Sequence, residues 1–257
     1  MATFGLQKED VHLWWADLDV EVHHTNDYYL IISMDEKNRA ARYRFQQHRD
    51  NFIITHGLLR VILSQYLNTD PRKLCFIYKE FGKPSLDVSF NDSGLSFNLS
   101  HSNGIILYAI TCSREIGVDI EYVFDSSCLE EISERFLSPR ERKIFCMIPP
   151  YRRRQALFEY WTCKEAYIKA TGRGHSVPLN QVEVLFLHSN PEIVLASKFR
   201  PKGDYIWSLQ KIESPQGYIA ALAVEGNDFK LNNYFCANLA FLDGKYLWTF
   251  FSSRHTE

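Results

Sequence analysis

What this chain lacks narrows its class first. Its longest clean apolar run, Ile105-Ile106-Leu107-Tyr108-Ala109-Ile110, is far short of the roughly 20 residues a membrane span needs. It has no basic excess: a net charge of −2 and a pI near 6.5 exclude a dedicated nucleic-acid binder. The six cysteines, at 75, 112, 128, 146, 163 and 236, include no CxxC pair and no closely spaced histidine partner. Neither a zinc site nor a disulfide frame is expected, and reduced thiols point to the cytoplasm. The opening MATFGLQKED lacks the charged-then-apolar order of a secretion signal, and Arg254-His255-Thr256-Glu257 is no lipidation box. A GxSxG elbow is also missing, and the adjacent Ser100-His101 cannot face each other well, which argues against a hydrolase triad. What remains is ordinary globular composition, 46% hydrophobic and 23% charged over 257 residues. That length buries one large core or two half-size ones.

Periodicity then orders the chain. Residues 11–22 read as a first strand, His23 to Asp27 as a break, and Asp35 opens a basic helical stretch. Phe52, Thr55, Leu59, Ile62, Leu63 and Tyr66 form one helical stripe, stopped at Asn68-Thr69-Asp70-Pro71. Strands at 74–79, 95–99 and 105–111 follow, with a tight turn over Phe81 to Leu86. The second half repeats the plan: a helical segment over 139–148, a long helix from about Arg152 to Thr171, and strands at 181–187, 205–211 and 218–224. Asn103-Gly104-Ile105 aligns with Gln216-Gly217-Tyr218, which puts equivalent strands in register. The expected fold class is therefore α+β, with two similar halves side by side: 1–114, 115–226, and an aromatic extension over 227–257. The order of elements does not say where that extension packs.

Two acidic segments carry the chemistry. In Gly117-Val118-Asp119-Ile120-Glu121 the carboxylates are two apart, so in a strand both point to one face while Val118 and Ile120 turn into the core. In Trp161 to Lys169, Glu165 and Lys169 lie one helical turn apart. Three carboxylates gathered at one place need a cation, and an all-oxygen set suits Mg²⁺ or Mn²⁺. Each piece alone also reads blandly: a solvated strand face, an i,i+4 helix pair, a surface Lys164, two ordinary turns. Together with Lys83 in a Gly/Pro turn, His101 between two serines, and Arg39, Arg42, Arg44 and Arg49, they suit chemistry on a pyrophosphate.

At this point the chain resembles a 4′-phosphopantetheinyl transferase of the Sfp type. Phe81-Gly82-Lys83-Pro84-Ser85-Leu86 is similar to the family's GKPxL turn, and Phe97-Asn98-Leu99-Ser100-His101-Ser102 to its FNxSHS segment. Gly117 to Glu121 matches GxDIE and Trp161 to Lys169 matches WxxKEAxxK. The family often has an apolar residue where this chain has His175. The resemblance implies a pseudo-twofold pair of α+β halves with the active site between them. Arg39, Arg42, Gly82, Lys83, Pro84, Ser100, His101, Ser102 and Lys169 would bind coenzyme A. Asp119, Glu121 and Glu165 would hold Mg²⁺, with Glu165, Lys169 and Asp119 catalytic. The phosphopantetheine group would pass to a serine of an apo acyl or peptidyl carrier protein, releasing 3′,5′-adenosine bisphosphate. Carriers are usually acidic around that serine, so Arg140, Arg142, Lys143 and Arg152 to Arg154 would dock them, with Phe136 and Leu137 in apolar contact. Two halves in one chain imply a monomer. A noncatalytic coenzyme A- or nucleotide-binding module and a metal-dependent pyrophosphate hydrolase are the other readings.

Overall fold

The computed structural model describes residues 5–90, 94–124, 129–187, 190–195, 206–242 and 245–252. Cys128 lies outside these residues, as do residues 243–244 and 253–257 of the aromatic extension. The first elements are β1 (Asp10–Asp17), α1 (Leu18–Glu21), α2 (Thr25–Ile31), α3 (Met34–Ala40), α4 (Gln46–Leu67), β2 (Phe76–Tyr78), β3 (Pro84–Leu86), β4 (Leu95–Ser102), β5 (Ile105–Cys112) and β6 (Ile116–Tyr122). Next come α5 (Leu129–Phe136), α6 (Pro139–Met147), α7 (Pro150–Thr171), β7 (Val182–Leu187), β8 (Asn190–Leu195), β9 (Trp207–Ile212), β10 (Tyr218–Glu225), β11 (Lys230–Leu242) and β12 (Lys245–Ser252). None of the described helices is long and apolar enough to cross a membrane.

Strand alternation builds four layers, helix on sheet on sheet on helix. One sheet runs β12-β11-β1-β5-β4 and the other β6-β10-β9. On β1 and β5, Trp14, Ala16, Ile106, Tyr108 and Ile110 face α4 and its Ile54, Leu58 and Ile62. Their alternates Val11, Leu13, Trp15, Leu107 and Ala109 meet Ile116, Val118, Ile120, Leu222 and Val224 of the second sheet. Ala221 and Ala223 on the far face of β10 pack with Cys163, Ala166 and Ala170 of α7. Period two thus gives each sheet two apolar faces. The internal repeat is visible in pairing: β1-β5-β4 and β6-β10-β9 both run first strand, last strand, middle strand, all antiparallel. β5 and β10 are entered through glycines of positive φ, Gly104 at 92° and Gly217 at 87°.

Several elements differ from the sequence reading. The first strand stops at Asp17, whose side chain accepts from Asp19 N at 2.8 Å and caps α1, so the chain turns helical at Leu18. The stretch from Asp35 is not one helix. Ser33 and Glu36 form a capping box that starts α3 at Met34; it ends at Ala40, and α4 starts at Gln46. The turn after Phe81 contains β3, paired with β2, and Gly82 at φ 83° makes the reversal. Helices α2 and α5 are too short for a periodic stripe to reveal. The aromatic extension returns to the first half. β11 runs parallel to β1, from Asp10 opposite Lys230 to Trp15 opposite Phe235, and β12 pairs beyond it. Tyr234 stacks on Trp14, ring centroids 4.6 Å apart.

Under this extension lies a buried polar group with a stability consequence. His12 is 3% exposed, and its Nδ1 shares a 2.7 Å hydrogen bond with Tyr66 Oη, which also receives Trp14 Nε1–H at 2.8 Å. Burial lowers its pKa from 6.5 to about 4, against a smaller upward pull from Asp10. The unfolded chain therefore takes up this proton before the folded one does. Stability is full above about pH 6.5 and falls on descent to about pH 4, by up to roughly 3 kcal/mol. Calorimetric Tm of wild type minus His12→Gln, followed from pH 7 to 4, is expected to shrink across that window; a constant difference would contradict it.

Candidate active site

The site forms where β4 meets β6, the edges of the two sheets. The two strands are joined by side chains. Asn98 Oδ1 accepts from Val118 N at 2.9 Å, Ser100 Oγ donates to Asp119 Oδ1 at 2.9 Å, and Ser102 Oγ donates to Glu121 Oε2 at 3.1 Å while accepting from Tyr122 N at 3.0 Å. Alternation explains the spacing: 98, 100 and 102 share a face of β4, and 119 and 121 share a face of β6. The helix arrives from the other side. A Cβ on Gly117 would lie 2.2 Å from both Ala166 O and Ala170 N, so only glycine lets α7 come this close. That approach brings Lys169 Nζ to Asp119 Oδ1 at 2.6 Å and Ser100 Oγ at 2.8 Å. Gly117→Ala is expected to destabilise the fold by about 3 kcal/mol or more, since backbone cannot yield as a side chain can. Urea unfolding checks this; a midpoint unchanged from wild type would contradict it.

Charge is concentrated but unevenly answered. Asp119 is 3% exposed, and its Oδ2 is buried with no hydrogen-bond partner. Burial raises its pKa, against the pull of Lys169 and Ser100. Burial also raises that of Glu121, reinforced by the Asp119 charge, although Ser102 and Trp161 Nε1–H, at 3.1 Å, hydrogen-bond to it. Beside this centre lies a cavity of about 450 Å³ lined from both halves: Arg39, His56, Tyr78 and Asn98 on one side, Glu165 and Lys169 on the other. His101 keeps solvent access along part of its surface, while the protein packed around its ring lowers its pKa by desolvation, followed by the positive Lys169 and by His56.

The sequence-predicted residues fall into distinct positions. Arg39, Gly82, Lys83, Pro84, Glu165 and Lys169 line the cavity. Ser100, Ser102, Asp119 and Glu121 form the bonded seam beside it. Arg42, by contrast, is exposed and outside the lining. The three expected metal ligands are not drawn into one cluster: among the described residues no group of three or more His, Cys, Asp or Glu is placed to hold a metal ion. Lys169 takes one Asp119 oxygen, and Ser102 and Trp161 engage Glu121. Lys83 directs its ammonium at Glu115, Ile116 O and Ala170 O. Lys164 is not a surface lysine; it is wholly buried against Glu141. Phe136 and Leu137 are 2% and 1% exposed, too deep for a docking contact, and Arg153 caps the end of α6 through Ile148 O and Cys146 O. Arg140, Lys143 and Arg152 are exposed.

His56 was not expected. It sits one turn after Phe52 on α4, rings 4.1 Å apart, with Nδ1 3.3 Å from Glu36 Oε1. Its signal was a polar residue beside an apolar helical stripe, next to the basic segment. Tyr78 was also missed; it accepts from Arg39 Nη1 at 2.5 Å.

Residues 115–223 match the profile described as 4′-phosphopantetheinyl transferase superfamily, and residues 17–113 that described as 4′-phosphopantetheinyl transferase, N-terminal. The chain is 38% identical to 4′-phosphopantetheinyl transferase HetI of Nostoc sp., over 86% of this chain and 90% of that protein. It is 27% identical to 4′-phosphopantetheinyl transferase Sfp of Bacillus subtilis, over 77% of this chain and 84% of that one. A holo-(acyl-carrier-protein) synthase structure from Bacillus anthracis aligns with 43% of this chain and 94% of its own, at 24% identity and TM-score 0.37.

Proposed function

The chain belongs to the 4′-phosphopantetheinyl transferase superfamily and transfers that group from coenzyme A to carrier proteins, and from that premise we propose how its own residues divide the work. The observation that carries the proposal is the Asp119–Ser100–Lys169 triangle at the edge of a cavity shared by both halves. The nucleotide end of coenzyme A enters the cavity beside Arg39, His56 and the Gly82-Pro84 turn, with His101 near its 3′-phosphate. Arg42, exposed and outside the cavity lining, would reach a phosphate only from the rim.

Mg²⁺ fits the carboxylates on one test. Asp119 Oδ2 is buried without a partner, and burial holds the pKa of both Asp119 and Glu121 up; a divalent cation answers both. Two protein carboxylates suffice, since Mg²⁺ binds through one or two of them plus substrate phosphates and water. Asp119 and Glu121 would hold it at the seam, and Glu165, which lines the cavity apart from them, would join as a third carboxylate only on moving toward it. When bound it supplies charge neutralisation on the pyrophosphate.

The residues of the chain do the rest. Glu165, on the cavity wall, takes the proton from the carrier serine as its oxygen bonds to the β-phosphorus. The bond from that phosphorus to the bridging oxygen breaks, and 3′,5′-adenosine bisphosphate leaves with the electron pair. Lys169 stabilises the charge that grows on the leaving phosphate. Its ion pair with Asp119 fixes its position beforehand. Exposed Arg140, Lys143 and Arg152 offer the acidic carrier a basic face, and the enzyme works as a monomer.

Mass spectrometry of an apo carrier incubated with coenzyme A and Mg²⁺ tests the mechanism. Wild type is expected to add about 340 Da, and Glu165→Gln to slow the addition by roughly 10²-fold or more. Nucleotide release without mass gain would indicate a hydrolase, and neither outcome a binding module. An undiminished Glu165→Gln would remove the base assignment.

A further inference from the structure

Lys83 offers its charge to the protein. Its ammonium has three protons, and all three have acceptors: Glu115 Oε2 at 2.8 Å, Ile116 O at 3.0 Å and Ala170 O at 2.8 Å. The side chain is 8% exposed. Burial lowers its pKa, partly offset by Glu115, so turning the ammonium outward means giving up a desolvated network.

The three acceptors come from places that must be held in register. Ala170 O is one of the terminal carbonyls of α7, which its own helix cannot satisfy, and a cation there also suits the negative end of the helix dipole. Ile116 O and Glu115 open β6. The helix ends at Gly172, in the left-handed region at φ 65°, and a Cβ there would lie 3.4 Å from Lys83 Cδ. Two residues on, a Cβ on Gly174 would lie 2.9 Å from Phe81 Cβ. The turn carrying Phe81 and Lys83 therefore interlocks with the loop that ends α7. Lys79 reinforces the join, donating to Glu115 Oε1 at 2.6 Å.

Lys169 is the residue before Ala170, and Asp119 lies three residues after Ile116. We propose that Lys83 is a positioning residue, a clamp between the halves that sets Lys169 against Asp119, and not a ligand of a coenzyme A phosphate. This rests on the reading that the Lys169–Asp119 pair belongs to the transfer centre.

The test is a split between chemistry and binding in Lys83→Met, Glu115→Gln and the double variant. Steady-state transfer is read alongside calorimetric titration with 3′,5′-adenosine bisphosphate. For a clamp, Lys83→Met lowers kcat by about 10²-fold while KM for coenzyme A and the nucleotide Kd change less than about threefold. Glu115→Gln, which removes no positive charge, lowers kcat in the same direction, and the double variant is no worse than Lys83→Met. A phosphate ligand gives the opposite pattern: nucleotide Kd rises by tenfold or more in Lys83→Met, and Glu115→Gln leaves or tightens binding. That pattern would overturn the proposal. If Lys83→Met does not fold, Glu115→Gln alone decides, by whether kcat or Kd moves. Asp119→Asn runs in the same series. An active Asp119→Asn removes the transfer-centre reading, whereas an inactive one with a binding defect in Lys83→Met removes only the clamp.

Discussion

Asp119→Asn is expected to lower kcat for transfer by roughly 10³-fold without lowering Tm by more than a few degrees. The substitution keeps shape and removes charge. Asp119 is 3% exposed, and its Oδ1 holds both Ser100 and Lys169. With that charge gone, Lys169 loses the partner that aims it, and any cation at the seam loses its most enclosed ligand. Stability follows a different rule, because a buried carboxylate with one orphaned oxygen is expensive to hold ionised. An amide in its place costs less to bury, so the fold need not suffer. Calorimetry in a MgCl₂ titration separates the two roles. Wild-type Tm should rise with Mg²⁺ by mass action and that of Asp119→Asn should not. A variant that keeps a tenth of the activity, or that responds to Mg²⁺ as wild type does, would sink the assignment.

The same residue shows what was legible in the sequence. That Asp119 and Glu121 share a face follows from strand spacing, and Val118 and Ile120 do turn into the core between the sheets. That α7 can reach them depends on Gly117, whose missing Cβ makes room for Ala166 and Ala170. The glycine was in view as part of a motif, but a close approach of backbone has no local signature. The repeat was legible because Gly104 and Gly217 open equivalent strands of the same pattern. The place of residues 230–242 was not, because pairing with β1 is set by an open sheet edge over 200 residues earlier. Lys83 and His56 show the limit for sites. A lysine in a Gly/Pro turn reads as a phosphate ligand, and the three acceptors its ammonium meets leave no mark in the local sequence. A histidine beside a core stripe looks structural until the cavity it lines is seen.

Lys164 carries the largest expected effect on stability. It adjoins Glu165 in sequence and points the other way, into the second half. Both it and Glu141 are 0% exposed, with Nζ 2.6 Å from Glu141 Oε2. Two further protons go to Phe136 O at 2.8 Å and Leu179 O at 3.0 Å. Glu141 is held as tightly, accepting from Ser138 N at 2.6 Å and Val184 N at 2.7 Å. One ion pair thus ties the end of α5, the start of α6, β7 and the loop at Leu179 to α7. A buried pair of this kind need not outperform an apolar one, but removing one partner strands the other in low dielectric. Lys164→Met is therefore expected to cost about 3–5 kcal/mol, or a Tm fall of roughly 10 °C for a chain of this length. Adding Glu141→Gln removes the stranded charge but keeps an acceptor for only one of Ser138 N and Val184 N, which bond different carboxylate oxygens. The double variant should recover at least about 1 kcal/mol of the loss. If it is no more stable than Lys164→Met alone, the cost lies in the lost hydrogen bonds, those to Phe136 O and Leu179 O and the one the new amide cannot accept, and not in the charge.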